Sequence, residues 1–224
     1  MSENLTVVFD LDGTLVDTAP DLAQSMNAVL AAHGRGHVPL EHVRHMVGQG
    51  ARVLMARAME ATGAPADGAQ LDALYDQFLE HYLAHIADLS QPFPGMVAQL
   101  ERCRDAGYQM GICTNKPESA SLLLLEELEL TGYFGSVIGG DTLEVKKPDP
   151  EHIHETVRRA GGRRGHAVMV GDSANDIDAA RAAAVPVVAV SFGYTQTPVR
   201  ELAPDVTIDH YDEFWAALEK LTGA

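Results

Sequence analysis

Five short apolar runs, each stopping at polar, proline-flanked or glycine positions, constrain this chain most. They cover residues 5–9, 110–113, 137–139, 167–170 and 185–190. Their apolar side chains follow one another rather than alternate, as in strands buried on both faces. Between the later runs lie helical patterns at 96–106, 118–130, 151–160 and 176–184. Alternating buried strands and helices predict an α/β protein with a Rossmann-like, three-layer core, its parallel sheet sandwiched between helices.

The stretch from 17 to 89 breaks this rhythm. It carries amphipathic patterns at 21–32, 40–46, 51–62 and 71–85 and no strand pattern. Pro92-Phe93-Pro94-Gly95 then punctuates the return to the α/β part. The expected organisation is a core of residues 1–16 and 90–224 with an inserted α-helical cap domain over 17–89. A chain of 224 residues is long enough for both.

Charge narrows the partners. A formal net charge of −16 disfavours nucleic acid and anionic membrane on electrostatic grounds. An anionic substrate would need a local cationic site, so individual lysines and arginines become informative. Cys103 and Cys113 have no metal-site spacing and read as free thiols of a reducing compartment. With no leader pattern and no apolar run approaching 18 residues, a cytoplasmic protein is expected, a monomer or small homo-oligomer.

In an open parallel sheet, ligands bind outside the carboxyl ends of the strands. There the sequence places Asp10 and Asp12, Thr114 and Asn115, and Asp172 with Asp176, and Lys147 stands in a later loop. Asp10 and Asp12 are two residues apart, about 7 Å at Cα in extended backbone, with side chains on the same face. Carboxylates that close need a cation or a shared proton, and both suit phosphoryl transfer. Asp172, after a strand and a Gly, is a candidate metal ligand; Asp176 is either its neighbour one helical turn on or a helix-start carboxylate. Thr114 and Asn115 can donate to phosphate oxygens or cap a helix. Lys147, abutting Pro148 in a proline-stiffened loop, is favoured over Lys146 as a fixed ammonium beside a transferring phosphoryl group. His81 and His85 lack the intervening Glu of a zinc-protease helix, and metal binding is not expected there.

Taken in order, Asp10-Leu11-Asp12-Gly13-Thr14, Thr114-Asn115, Lys147 with its Pro, and Gly171-Asp172-Ser173-Ala174-Asn175-Asp176 resemble the four motifs of the haloacid dehalogenase superfamily over nearly the whole chain. The resemblance implies a magnesium-dependent phosphomonoester hydrolase working through a phosphoaspartyl intermediate. Asp10 would be the nucleophile and Asp12 the acid–base. Lys147, Thr114 and Asn115 would hold the phosphoryl oxygens. Magnesium would be held by the Asp10 and Asp172 carboxylates and the Asp12 main-chain carbonyl, with Asp176 behind them. The second acid, Asp12, disfavours halide displacement, and the absence of Lys between Leu22 and Ile86 disfavours the imine-forming phosphonate branch.

The cap stretch from Val47 to Leu54 and the run from Met169 to Ile177 resemble bacterial phosphoglycolate phosphatases. That implies 2-phosphoglycolate as the small phosphorylated metabolite, with Gly48 and Gly50 letting a cap loop approach it. Arg52 would meet its carboxylate or else be a solvated helix residue. Other readings are a phosphatase for a sugar phosphate or pyrophosphate, a phosphomutase, and a phospho-accepting receiver module. The last is about half this length and needs neither cap nor Lys-Pro loop.

Overall fold

The computed structural model describes residues 5–195 and 197–223. Six strands form one sheet: β1 (Thr6–Phe9), β4 (Gln109–Cys113), β5 (Ser136–Ile138), β6 (Ala167–Gly171), β7 (Val187–Val190) and β8 (Val206–Ile208). Two-residue strands β2 (Val16–Asp17) and β3 (Gln91–Pro92) pair separately and antiparallel. The large sheet runs β5-β4-β1-β6-β7-β8 and every pairing in it is parallel. Chain order proceeds outward from β1 in one direction and then resumes from β1 in the other. That places the topological switch point, where ligands bind such sheets, at the carboxyl ends of β1 and β6.

Successive strand residues feed opposite layers. Val7 and Phe9, Val168 and Val170, and Val188 and Val190 pack with helices α5 (Met96–Asp105), α6 (Glu118–Glu127) and α9 (Phe214–Thr222). Val8, Met169 and Ala189 pack instead with α7 (Pro150–Arg159) and α8 (Ala174–Ala183). Each such valine contributes roughly 1.5–3 kcal/mol on burial, which is why these runs carry no polar face. Strand β8, with a polar residue at its centre and two of its three residues only half-buried, lacks that apolar signature, and the sequence reading did not anticipate it.

Four helices lie between β2 and β3: α1 (Ala19–Ala32), α2 (Leu40–Arg44), α3 (Ala51–Ala61) and α4 (Gly68–Ala84). Helix α1 starts two residues before the expected 21 because Pro20, lacking an N–H, is accommodated in the first turn. Helix α4 starts three residues before 71, where the Asp67 side chain caps Gln70 N–H at 2.8 Å. The two chain crossings between the helices and the sheet are tied by Asp21. Its buried carboxylate accepts from Leu89 N–H, Ser90 N–H and the Ser90 hydroxyl at 2.6–3.1 Å. No described helix is long and apolar enough to cross a membrane.

Candidate active site

Register builds the site. Phe9 pairs with Ile112 on one side and Val170 on the other, so Asp10, Cys113 and Gly171 follow at one level. Asp10 N–H continues the ladder to Val170 O at 2.9 Å, and Thr114 N–H does the same to Ile138 O at 3.0 Å. The chain then turns at Gly13, whose φ is +80°. A Cβ there would lie 2.6 Å from the Asp172 carboxylate and 2.8 Å from the Tyr194 ring, so only glycine fits.

Asp10, Asp172 and Asp176 are buried and bring one carboxylate oxygen each within 4.8 Å of the others. Lys147 Nζ lies 2.9 Å from Asp10 Oδ1 and 2.6 Å from Asp176 Oδ1. Asp176 is therefore both of the things its position allowed. Its Oδ2 accepts from Ser173 N–H and Oγ in a capping box at the start of α8, while Oδ1 takes the lysine. Asp172 accepts from the Thr14 hydroxyl at 3.0 Å and from Tyr194 N–H at 2.5 Å. Three carboxylates face one ammonium, so the cluster holds an excess of negative charge in a low-dielectric setting.

The protonation equilibria register that imbalance. Burial pushes the Asp10 carboxyl up to about 6, against the pull of Lys147. Burial and the charges of Asp176 and Asp10 hold Asp172 well above the usual carboxylate range. Burial pulls the Lys147 ammonium down, but Asp10 and Asp176 outweigh it and the net shift is upward. A crowded, all-oxygen donor set of this kind fits a hard divalent cation such as magnesium.

Asp12 faces elsewhere. Its Oδ1 accepts from the Thr18 hydroxyl at 2.7 Å and from Lys116 Nζ at 3.1 Å. It opens onto a pocket also lined by Asp10, Thr114, Asn115, Gly48 and Gly50. Both glycines have positive φ, +105° and +96°, with Gly50 at the N-cap of α3. Thr114 Oγ1 accepts from Lys116 N–H at 3.2 Å, which leaves its own hydroxyl hydrogen to donate. Asn115 is brought to the pocket but its amide is already turned to backbone, donating to Lys147 O at 3.2 Å and Gly48 O at 3.5 Å. Arg52 is not brought there. It pairs with Asp72 at 2.7 Å, with 52% of its side chain exposed, because Asp72 on α4 faces it across the surface of α3.

Several pocket and support residues escaped the sequence reading. Lys116 is buried, and its Nζ reaches the Tyr82 hydroxyl of α4 at 2.6 Å as well as Asp12. Its signal was present, since Lys116 precedes Pro117 just as Lys147 precedes Pro148. Asn175, inside a recognised motif, donates to Gly48 O at 3.2 Å and so joins the start of α8 to the loop between α2 and α3. Tyr194 hydrogen-bonds through its hydroxyl to Asp17, which Arg44 grips with two hydrogen bonds of 2.8 and 2.9 Å. Nothing local in the sequence marks Tyr82 or Tyr194. The His81 and His85 rings lie 4.6 Å apart, tilted by 35°, and hydrogen-bond with Ser25 and Asp88 respectively.

The chain is 50% identical over 206 residues to a phosphoglycolate phosphatase of Mesorhizobium japonicum, covering 92% of this chain and 91% of that one. It is 47% identical over 215 residues to the phosphoglycolate phosphatase of Agrobacterium fabrum, covering 96% and 92%. A crystal structure from Haemophilus somnus, described as a predicted phosphoglycolate phosphatase, superposes with a TM-score of 0.91 at 29% identity over 97% of this chain and 99% of that one. Residues 7–190 match the haloacid dehalogenase-like hydrolases. The chain belongs to the haloacid dehalogenase-like hydrolase family.

Proposed function

We propose that this phosphatase hydrolyses a small phosphomonoester, 2-phosphoglycolate, to glycolate and phosphate through a phosphoaspartate on Asp10. In this reading residues 17–89 act as a cap over a core formed by 1–16 and 90–224. The observation that carries it is the division of labour between two neighbouring acids. Asp10 sits against Lys147 beside Asp172 and Asp176, whereas the Asp12 carboxylate lies outside that cluster and lines the pocket.

The Asp10 carboxylate attacks phosphorus in line as the ester P–O bond breaks. Lys147 and the Thr114 hydroxyl offset charge on the phosphoryl oxygens, at positions fixed before substrate arrives. Asn115 holds the Lys147 loop and the cap loop together through its two carbonyl contacts. Asp12 gives its proton to the leaving alkoxide. As a carboxylate it then takes a proton from the water that attacks the acyl phosphate, which returns Asp10 and releases phosphate. Magnesium held by the Asp10 and Asp172 carboxylates and the Asp12 main-chain carbonyl would neutralise charge on the phosphoryl group.

The names of the relatives support the choice of substrate. A phosphate-release screen over small phosphomonoesters, with and without magnesium, tests it. Magnesium-dependent turnover highest on 2-phosphoglycolate is expected. Turnover of sugar phosphates with none of 2-phosphoglycolate would overturn the substrate while leaving the chemistry standing.

A further inference from the structure

The pocket in front of Asp10 is mostly apolar, with Leu22, Val47, Leu54, Phe78 and Leu79 among its walls. Among the residues that line it, Lys116 is the one cation. An ammonium has three N–H bonds and no acceptor. Asp12 Oδ1 and the Tyr82 hydroxyl accept from Lys116 Nζ at 3.1 and 2.6 Å, its contact to Asp12 Oδ2 is long at 3.5 Å, and Lys116 is among the residues that line the pocket. An ammonium buried against an apolar wall gains when its most weakly held N–H, here the one 3.5 Å from Asp12 Oδ2, meets a closer acceptor.

We propose that Lys116, braced by Tyr82, binds the carboxylate of the substrate's leaving group and selects phosphorylated hydroxy acids over neutral phosphomonoesters. This rests on the phosphatase reading above and deepens it. Position supports the assignment. Asp12 must reach the ester oxygen, and Lys116 Nζ is 3.1 Å from the Asp12 carboxylate. An anion held by Lys116 therefore sits only a few bonds from that oxygen, as a carboxylate on the adjoining carbon does. A second phosphate, bulkier and more highly charged, would find a single cation in a mostly apolar wall. Arg52, the cation that the cap sequence offers for this role, is occupied by Asp72 at the surface. Tyr82 belongs to α4, so the carboxylate-binding group is completed only when the cap lies over the core.

The test compares kcat/KM for 2-phosphoglycolate with that for 2-hydroxyethyl phosphate, which has a hydroxymethyl group in place of the carboxylate. Wild type should prefer the carboxylate by about 100-fold or more, the scale expected when a buried polar site loses its partner. In Lys116→Met that preference should collapse to within about 5-fold, while Lys116→Arg keeps most of it and Arg52→Ala leaves it unchanged. Any loss on both substrates alike, caused by disturbing Asp12, cancels in the ratio. If Lys116→Met proves inactive on both, calorimetry in an Asp10→Asn background replaces kinetics. Weaker binding of 2-phosphoglycolate alone supports the proposal, and equal weakening of both esters refutes it. A wild-type preference that survives in Lys116→Met would overturn the role of Lys116 alone. No preference in wild type would instead overturn the substrate reading, and this inference with it.

Discussion

The Lys147 ammonium donates to Asp176 at 2.6 Å, and neither side chain reaches solvent. The same nitrogen lies 2.9 Å from Asp10. Lys147 is thus both a partner for Asp10, the proposed nucleophile, and the counter-ion of a carboxylate that caps α8. Removing one member of a buried pair leaves an uncompensated charge and costs about 3–5 kcal/mol. Lys147→Met should therefore lower the urea midpoint of the metal-free protein as well as abolish turnover. Without Lys147 the Asp10 carboxyl would rise further, so the folded state would hold its proton more tightly. The stability loss should be larger at pH 8 than at pH 5, and an equal loss at both would count against this electrostatic origin.

Asp12→Asn keeps the shape of the second acid and removes its proton chemistry. Turnover should fall by about 100- to 10,000-fold. The bond from Thr18 and the fold should persist, as circular dichroism and the thermal midpoint would report. A variant with near-normal kcat would remove Asp12 from the mechanism.

Magnesium affinity should fall as pH is lowered through about 6, the value to which burial raises the Asp10 carboxyl. A metal ligand must be ionised, so protons and magnesium compete. Titrated by the magnesium-induced rise in thermal midpoint, the apparent affinity should drop by about 4-fold or more between pH 7.5 and 5.5. Asp172→Asn should abolish the rise at both pH values. An affinity independent of pH would contradict the ligand assignment.

His152 provides a separate pH test away from the pocket. It is buried between Cys113 Sγ at 3.2 Å and Gly139 O at 3.0 Å, and burial depresses it to about 4. Its folded value lies below its unfolded one, so the neutral ring stabilises the fold above about pH 6.5. That contribution is lost as pH falls from 6.5 towards 4, and amounts to about 3 kcal/mol. His152→Gln should flatten this part of the urea-stability profile relative to wild type. Parallel profiles for the two proteins would rule out His152 as the source.

Much of this architecture was legible in the sequence because burial on both faces leaves so strong a mark. The apolar runs that became β1, β4 and β6 end at Asp10, Thr114 and Gly171-Asp172, and parallel register brings those ends together. What was not legible depends on contacts across the chain. Strand β8 is short and half polar, and β2 and β3 are two residues each, too short for any periodicity. Arg52 and Lys116 show the same limit within the pocket. In sequence, Arg52 was the cap cation beside two glycines and Lys116 an unremarked neighbour of Asn115. Only the fold reveals that Asp72 claims the first and that the second faces Asp12 and Tyr82.

The proposed chemistry stands or falls on Asp10 as the phosphorylated nucleophile. The most direct measurement is acid quenching of the protein during turnover of radiolabelled 2-phosphoglycolate with magnesium, followed by peptide mapping. A hydroxylamine-labile label is expected on the peptide containing Asp10 and absent from Asp10→Asn, which should also fail to release phosphate. Label on another residue, or magnesium-dependent turnover in Asp10→Asn close to that of wild type, would contradict it.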